Sequence, residues 1–331
     1  MAQEKLTRLQ NQKLDGMLSD ESTLTVAEYL ARWLNDTVRL TASEGTHVRY
    51  EGIVRNHINP AIGGVRLSKL APSRVQSMFS AMEQGVATAC TRKYAYVVIN
   101  RALNVALKWG LIMRNACGPL DRLKATEKDI QPLTAKQTQQ LLAESESNRL
   151  HALFVLSVTT GIRQGELFAL HWPDIDLDRA TISVWHTLED VRGRLRLKEP
   201  KTAGSRRLVK LPRMAVDALI EHRKRMLAEG WAGSQWVFVN TQGTPLRKTN
   251  FLRYVWNPLR KAAGIPSVRF HDLRHTQATL LLSLGVNPKV VSERLGHKNV
   301  SITLNTYSHV MPGMQQSAVD NLDDLLGGKI A

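Results

Sequence analysis

Residues 150–167, LHALFVLSVTTGIRQGEL, hold the reading that decides the fold. The run from Leu150 to Thr159 is strongly apolar and reads as a helix buried in a core. Gly161 lets the backbone turn out of it. Arg163 and Glu166 then stand three residues apart, close to one face of the next helix, where a carboxylate can hold a guanidinium in place. Alone, such a pair is no more than a surface ion pair, so its meaning depends on what surrounds it.

Upstream, Leu133-Thr134 caps the start of a helix. The stretch 121–133, DRLKATEKDIQPL, is charged, holds Pro132 and has no periodicity, which marks a linker. The block before it is helical and basic. Thr25 and Glu28 form a capping box ahead of an apolar stripe of Val26, Tyr29, Leu30 and Trp33. A second helix is expected from about Ser43 to Ile58, stopping before Pro60. A third begins at Pro72-Ser73, carries Val75, Met78, Phe79 and Met82, and ends at Gly85. A fourth runs from about Ala87 to Trp109. Residues 1–20 read as a short polar helix without a core of its own.

Downstream, Thr181–Trp185, Arg194–Lys198, Arg207–Leu211 and Trp236–Val239 read as short strands. A helix starts at Pro212 and reaches Leu227. From Asn250 the chain is helical again, broken at Gly264-Ile265-Pro266, Gly285 and Gly296. The fold class expected is mostly α with a small antiparallel β-sheet, in two domains.

Composition fits this and narrows the function. The 331 residues suit about two domains. Lys and Arg number 45 against 29 Asp and Glu, a formal net charge of +16, with basic residues spread along the whole chain. Such a surplus points to a polyanion, since neutralising phosphates releases counterions. No run of 18 apolar residues exists to span a membrane, and the polar N-terminus is no secretory signal. Cys90 and Cys117 are too few for a disulfide framework or a cysteine zinc site, which suits a reducing, cytoplasmic setting. No acidic cluster or Cys/His set has metal-ligand spacing, so a metal-dependent nuclease or a phosphatase fits poorly.

Four further segments carry chemistry. Pro200-Lys201-Thr202 lies between two strand-like runs, where a lysine at a hairpin tip would reach an anion. In His271-Asp272-Leu273-Arg274-His275, a helix would aim His271 and Arg274 at one spot, a pair suited to phosphate. Leu295-Gly296-His297-Lys298 presents a histidine at a turn. Thr303-Leu304-Asn305-Thr306-Tyr307-Ser308-His309 holds a tyrosine, a poor nucleophile unless cations and a base stand close.

In this order, T-G-I-R-x-G-E-L, P-K-T, H-D-L-R-H-T, L-G-H and T-x-x-x-Y-S-H resemble the tyrosine recombinase (phage-type integrase) family over residues 130–310. Leu24–Leu30 with Trp33 resembles the opening of that family's helical core-binding domain. The resemblance implies a two-domain C-shaped clamp on DNA. Residues 1–21 would be a connecting helix or linker remnant, 22–117 the core-binding domain, 118–132 a linker, and 133–331 the catalytic domain with its tail. Many phage-type integrases carry a further small arm-binding domain, and only the short segment 1–22 stands before the core-binding helix here.

By the same resemblance Tyr307 would be the nucleophile, forming a 3′-phosphotyrosyl link. Arg163 and Arg274 would hold the non-bridging oxygens. Lys201 would be the general acid for the 5′-oxygen, in preference to Lys198 or Lys210. His271 would move a proton to or from Tyr307, His297 would hydrogen-bond the phosphate, and Glu166 would order Arg163 or the nearby histidine. His275 and His309 receive no role. No cofactor or metal is implied. The partner would be double-stranded DNA with specific attachment sites. The working form would be a homotetramer, passing through a Holliday junction and exchanging a C-terminal tail anchored by Leu322, Leu325 and Leu326. A type IB topoisomerase-like enzyme and a non-catalytic DNA-binding protein of the same fold are the alternatives.

Overall fold

The computed structural model describes residues 23–85, 87–121, 131–199 and 206–307, with 319, 320, 322 and 326. The segments 1–22 and 122–130, Lys201, His309 and Leu325 lie outside the described residues. The chain divides into two compact units, Met1–Lys128 and Asp129–Ala331.

The first unit is helical. Its helix α1 (Val26–Trp33) opens as its sequence predicts: the Thr25 hydroxyl accepts from the Glu28 N–H, and the Glu28 carboxylate accepts from the Thr25 N–H at 2.8 Å. It buries Val26, Tyr29, Leu30 and Trp33, and the Trp33 ring stacks on Tyr50 at 5.9 Å. Helices α2 (Glu44–Ile53), α3 (Pro72–Gln84) and α4 (Ala89–Lys108) complete the core, with Val75, Met78, Phe79 and Met82 facing inward from α3.

Pro60 does not stop the chain where expected. After α2 the helix widens into a π turn, Val54–Ile58, and continues through Asn59–Ile62 with Pro60 in its first turn. The wide turn shifts the hydrogen-bond ladder ahead of the residue that has no N–H to give. The second unit repeats the device: a π turn, Leu252–Trp256, precedes Asn257–Ala262, whose first turn holds Pro258.

The second unit is built around α6 (His151–Thr160), which follows α5 (Ala135–Ser145) and is buried on nearly every side. It packs against α8 (Arg213–Ala228) and α9 (Asp272–Ser283). Between α6 and α8 come α7 (Gln164–Phe168) and five short strands: β1 (Ile175–Asp176), β2 (Thr181–Val184), β3 (Thr187–Val191), β4 (Arg194–Lys198) and β5 (Arg207–Lys210). They form two antiparallel sheets, β1-β2-β5 and β3-β4. Helices α10 (Pro288–Leu295) and α11 (Val300–Tyr307) follow α9 and pack in sequence against it and each other.

Two strand expectations are corrected. Trp236–Val239 forms only isolated bridges, His171 with Trp236 and Val239 with Pro245. The strands flanking Lys201 are not a hairpin: β4 pairs with β3, and β5 with β2. The cause is the Arg192-Gly193 turn, both residues at positive φ, which folds β3 onto β4 and occupies the pairing edge of β4. The segment carrying Lys201 therefore connects two sheets.

Candidate active site

Two helices, α6 and α10, end in glycines in the left-handed region, Gly161 at φ 65° and Gly296 at φ 67°. A left-handed stop leaves the last carbonyls of a helix without intrahelical partners, at the negative end of its dipole. Here arginines meet them. Arg274 donates to the carbonyls of Gly161 and Leu295, both at 2.7 Å. Arg163 donates to the carbonyl of Gly296 at 3.1 Å. Arg207 donates to the carbonyl of Arg294 at 2.8 Å. Guanidinia from α7, α9 and β5 thus converge on two helix ends.

Among the contacts of the described residues, one carboxylate balances them. Glu166 lies at the third position of α7, and its oxygens accept from the Arg163 backbone N–H at 3.0 Å, the Arg163 guanidinium at 2.9 Å and the Arg207 guanidinium at 2.8 Å. Burial would raise its pKa, but the hydrogen bonds and charges of Arg207 and Arg163 outweigh this and hold the carboxyl below its ordinary value. Burial, then the charges of Arg163 and Arg207, bring Arg274 down to about 9. The site thus carries surplus positive charge at a point with little water, which suits a phosphate. The Arg163 side chain is 39% exposed and that of Arg207 only 7%. Arg163 is placed to meet a ligand, and Arg207 to brace Glu166.

Tyr307 closes α11 and is buried in a small apolar cluster with Ala278, Leu282, Val291 and Leu295. Burial pushes its phenol up to about 12, against the pull of Arg274. Its hydroxyl lies 2.6 Å from Nδ1 of His275, one turn into α9. Burial, then the neighbouring His271, brings His275 down to about 4. His271 caps α9, is exposed, and meets the His275 ring edge-on at a centroid distance of 5.1 Å. The protein behind that ring and the Arg274 charge hold His271 below its ordinary value. His297, just past the α10 glycine, is half-buried and hydrogen-bonded through Nδ1 to the Thr303 hydroxyl at 2.8 Å. Burial, then Arg274 and Arg163, bring it down to about 4.

Of the residues singled out in the sequence, Arg163, Glu166, Arg274, His297 and Tyr307 are tied together by these contacts and fields. His271 joins them through His275 and Arg274. Lys201 lies outside the described residues. Two contributors were not singled out. Arg207 was visible only as one of many basic residues, and its partner Glu166 is forty-one residues away. His275 stands within the H-D-L-R-H motif, where the resemblance gives it no role.

Among the described residues, His171, Asp174 and His186 bring possible metal-ligand atoms within 4.8 Å of one another. Two of them already serve the backbone. The His171 ring accepts from the Asp174 N–H, and the Asp174 carboxylate accepts from the His171 N–H at 3.1 Å, capping the turn Trp172–Asp174. The cluster shares no residue with the arginine site. No helix among the described residues is long and apolar enough to cross a membrane.

Comparison with known proteins gives the family and the fold. The model of the phage integrase family matches residues 131–313, and that of the phage integrase N-terminal SAM-like domain matches residues 25–82. A tyrosine recombinase XerC-like protein of Caldanaerobacter subterraneus is 32% identical over 94% of this chain and 86% of its own length. Among solved structures, the Tn1549 transposon integrase in complex with transposon right end DNA has the same fold. It has a TM-score of 0.77 at 21% identity and covers 90% of this chain and 99% of that one. A lambda integrase tetramer bound to a Holliday junction matches at a TM-score of 0.67 and 19% identity, over 85% of this chain and 80% of that one.

Proposed function

The chain belongs to the phage integrase family of tyrosine recombinases, and from that premise we propose how its residues carry out site-specific recombination of DNA. The Tyr307 oxygen attacks a scissile phosphodiester, forms a 3′-phosphotyrosyl bond and releases a 5′-hydroxyl. The link conserves the ester's energy, so a new 5′-hydroxyl can reverse it without ATP. Arg163 and Arg274 receive the non-bridging oxygens and offset the charge that builds in the transition state. They are permanent cations fixed by helix-end carbonyls, so the step needs no metal. His297 donates a hydrogen bond to the phosphate, and Lys201 protonates the leaving 5′-oxygen. Glu166 keeps Arg163 aimed.

The observation that carries this reading is the convergence of Arg163, Arg274 and Tyr307 around the ends of α6 and α10. Both units contribute contacts to double-stranded DNA at attachment sites. In the first unit, an open groove lined by Lys93, Arg101, Lys108 and Asn104 supplies phosphate contacts. Leu322 and Leu326 are exposed on this chain, which suits a tail that finds its cover on a neighbouring subunit of a tetramer acting through a Holliday junction. The enzyme works in the cytoplasm, on the integration or excision of a mobile element.

The test is covalent capture on a pool of nicked DNA duplexes with a randomised core, with and without EDTA. A metal-independent adduct on a denaturing gel, absent in Tyr307→Phe while DNA binding persists, is the expected result. An adduct that survives Tyr307→Phe, or none from the wild-type chain, overturns the proposal.

A further inference from the structure

Glu166 acts on Arg163 in two opposed ways. Its carboxylate aims the guanidinium through a 2.9 Å hydrogen bond, and its negative charge cancels the positive charge that a phosphate needs. A partly exposed arginine left alone with a buried carboxylate settles into a two-armed pair with it, and an incoming phosphate must then break that pair. The geometry brings a second cation to the other carboxylate oxygen. Arg207 donates to Oε2 of Glu166 at 2.8 Å, and both side chains are 7% exposed.

Arg207 is fixed from three sides. It is the first residue of β5 and stands opposite Val184 of β2. Its Nε donates to the Arg294 carbonyl at the end of α10. Its guanidinium lies against Gly296, where an added Cβ would come within 3.0 Å of Nη1 and 3.2 Å of Cζ. The carbonyl of that same glycine takes the second arm of Arg163. Arg207 thus holds Glu166 from the buried side, while the Arg163 side chain is 39% exposed.

We propose that Arg207 is a positioning residue for cleavage: it neutralises Glu166, so that Arg163 stays aimed by the carboxylate yet keeps its charge for the scissile phosphate. This rests on the recombinase reading and adds to it a residue that acts through Arg163 and not on the reacting atoms. The Glu166–Arg207 pair is neutral as a unit and buried, where little water screens it. Arg163 and Arg274 then remain as the cations offered to the phosphate. Without Arg207, the unmatched carboxylate draws Arg163 inward, away from the Gly296 carbonyl, and the charge of Arg163 is lost to the phosphate. The exposures fit this division. The arginine that must let go of Glu166 when phosphate arrives is the exposed one, and the arginine that must hold on is buried.

The test uses the full chain and the duplex selected by the randomised-core capture, comparing single-turnover rates of adduct formation. The scissile linkage is either a phosphodiester or a methylphosphonate, in which a methyl group replaces one non-bridging oxygen and removes the charge that Arg163 answers. Arg207→Met should slow the phosphodiester reaction by about 10–100-fold, the range for a lost outer partner of a charged site, with DNA binding unchanged. On the methylphosphonate the same variant should lose less than about threefold, because there is no anionic charge left to stabilise. Both rates come from one preparation, so an unfolded fraction cancels in their ratio. Glu166→Gln combined with Arg207→Met removes both buried charges together, and it should cleave the phosphodiester about tenfold faster than Arg207→Met alone. An equal penalty on the two linkages, or a double variant no faster than Arg207→Met, would make Arg207 a purely structural brace. Either result overturns the proposal while leaving the recombinase reading intact. Loss of the wild-type adduct itself would remove both.

Discussion

The Glu166→Gln substitution tests the electrostatic account of the site most directly. Glu166 is the only carboxylate that Arg163 and Arg207 share among the contacts described. Gln is nearly the same shape, but it loses the charge and turns an amide N–H toward one of the guanidinia, donor against donor. Removing one partner of a buried ion pair costs about 3–5 kcal/mol, because the other charge stays behind uncompensated. The two arginines do not count alike. Water screens much of the loss at Arg163, which is 39% exposed, whereas Arg207 at 7% has no such relief. The lower end of the range follows, about 3 kcal/mol. For a unit of some two hundred residues, each kcal/mol moves Tm by about 2–4 °C, so the loss is on the order of 6–12 °C. Calorimetry of the full chain at pH 7 should show one transition moving by that amount.

The difference must also depend on pH in a fixed direction. The Glu166 carboxyl is held below its ordinary value of 4.5, so its contribution is fully present above that pH. It is lost as pH falls through the lower, folded-state value. Wild type and Glu166→Gln should therefore converge in stability once pH falls below that folded-state value. A shift at pH 7 under 2 °C, or a gap that stays constant into acid, would refute the claim that this carboxylate holds the arginine cluster together.

Two further substitutions probe the same site. Arg274→Lys replaces a fork that reaches the Gly161 and Leu295 carbonyls with a single ammonium, so cleavage should fall by about 10²–10³-fold while DNA binding persists; near-normal cleavage would remove Arg274 from phosphate contact. Gly161→Ala places a methyl at φ 65°, 2.7 Å from Cδ2 of Leu295 and 2.8 Å from Oε1 of Gln277. The left-handed backbone costs about 1–2 kcal/mol and the overpacking about 1–3 kcal/mol, so a urea melt should show a loss of about 2–5 kcal/mol, and a loss under 1 kcal/mol would refute the tight junction of α6 with α10.

Local patterns carried most of the fold into the sequence. The Thr25–Glu28 capping box, the α3 stripe and the apolar run of α6 each express a rule that acts within one turn or one face, and each stands where it was expected. The misses share a different cause. Pro60 reads as a stop only if the helix before it is a plain α-helix, and a π turn is a property of backbone hydrogen bonding that no side chain announces. The hairpin around Lys201 failed because strand pairing is decided by competition. The Arg192-Gly193 turn closes β3 on β4 with a very short loop, leaving β5 to join β2.

The site divides along the same line. Arg163 and Glu166 are three residues apart, and so are His271 and Arg274, so spacing alone makes each pair visible. Arg207 and His275 take their places from what they touch. Arg207 reaches Glu166 across forty-one positions, and His275 reaches Tyr307 across thirty-two. What joins the distant parts is the way two helices end. Gly161 and Gly296 stop α6 and α10 in the left-handed region, and each stop exposes carbonyls that a longer helix would have consumed. Those carbonyls are the first partners of Arg274 and Arg163. They hold the guanidinia in place before any phosphate arrives, so little reorganisation is left for the reaction itself. A side chain added at either glycine would disturb the cation geometry without touching a charged group. The two residues with no functional atoms are therefore as much a part of the proposed phosphate site as the arginines they position.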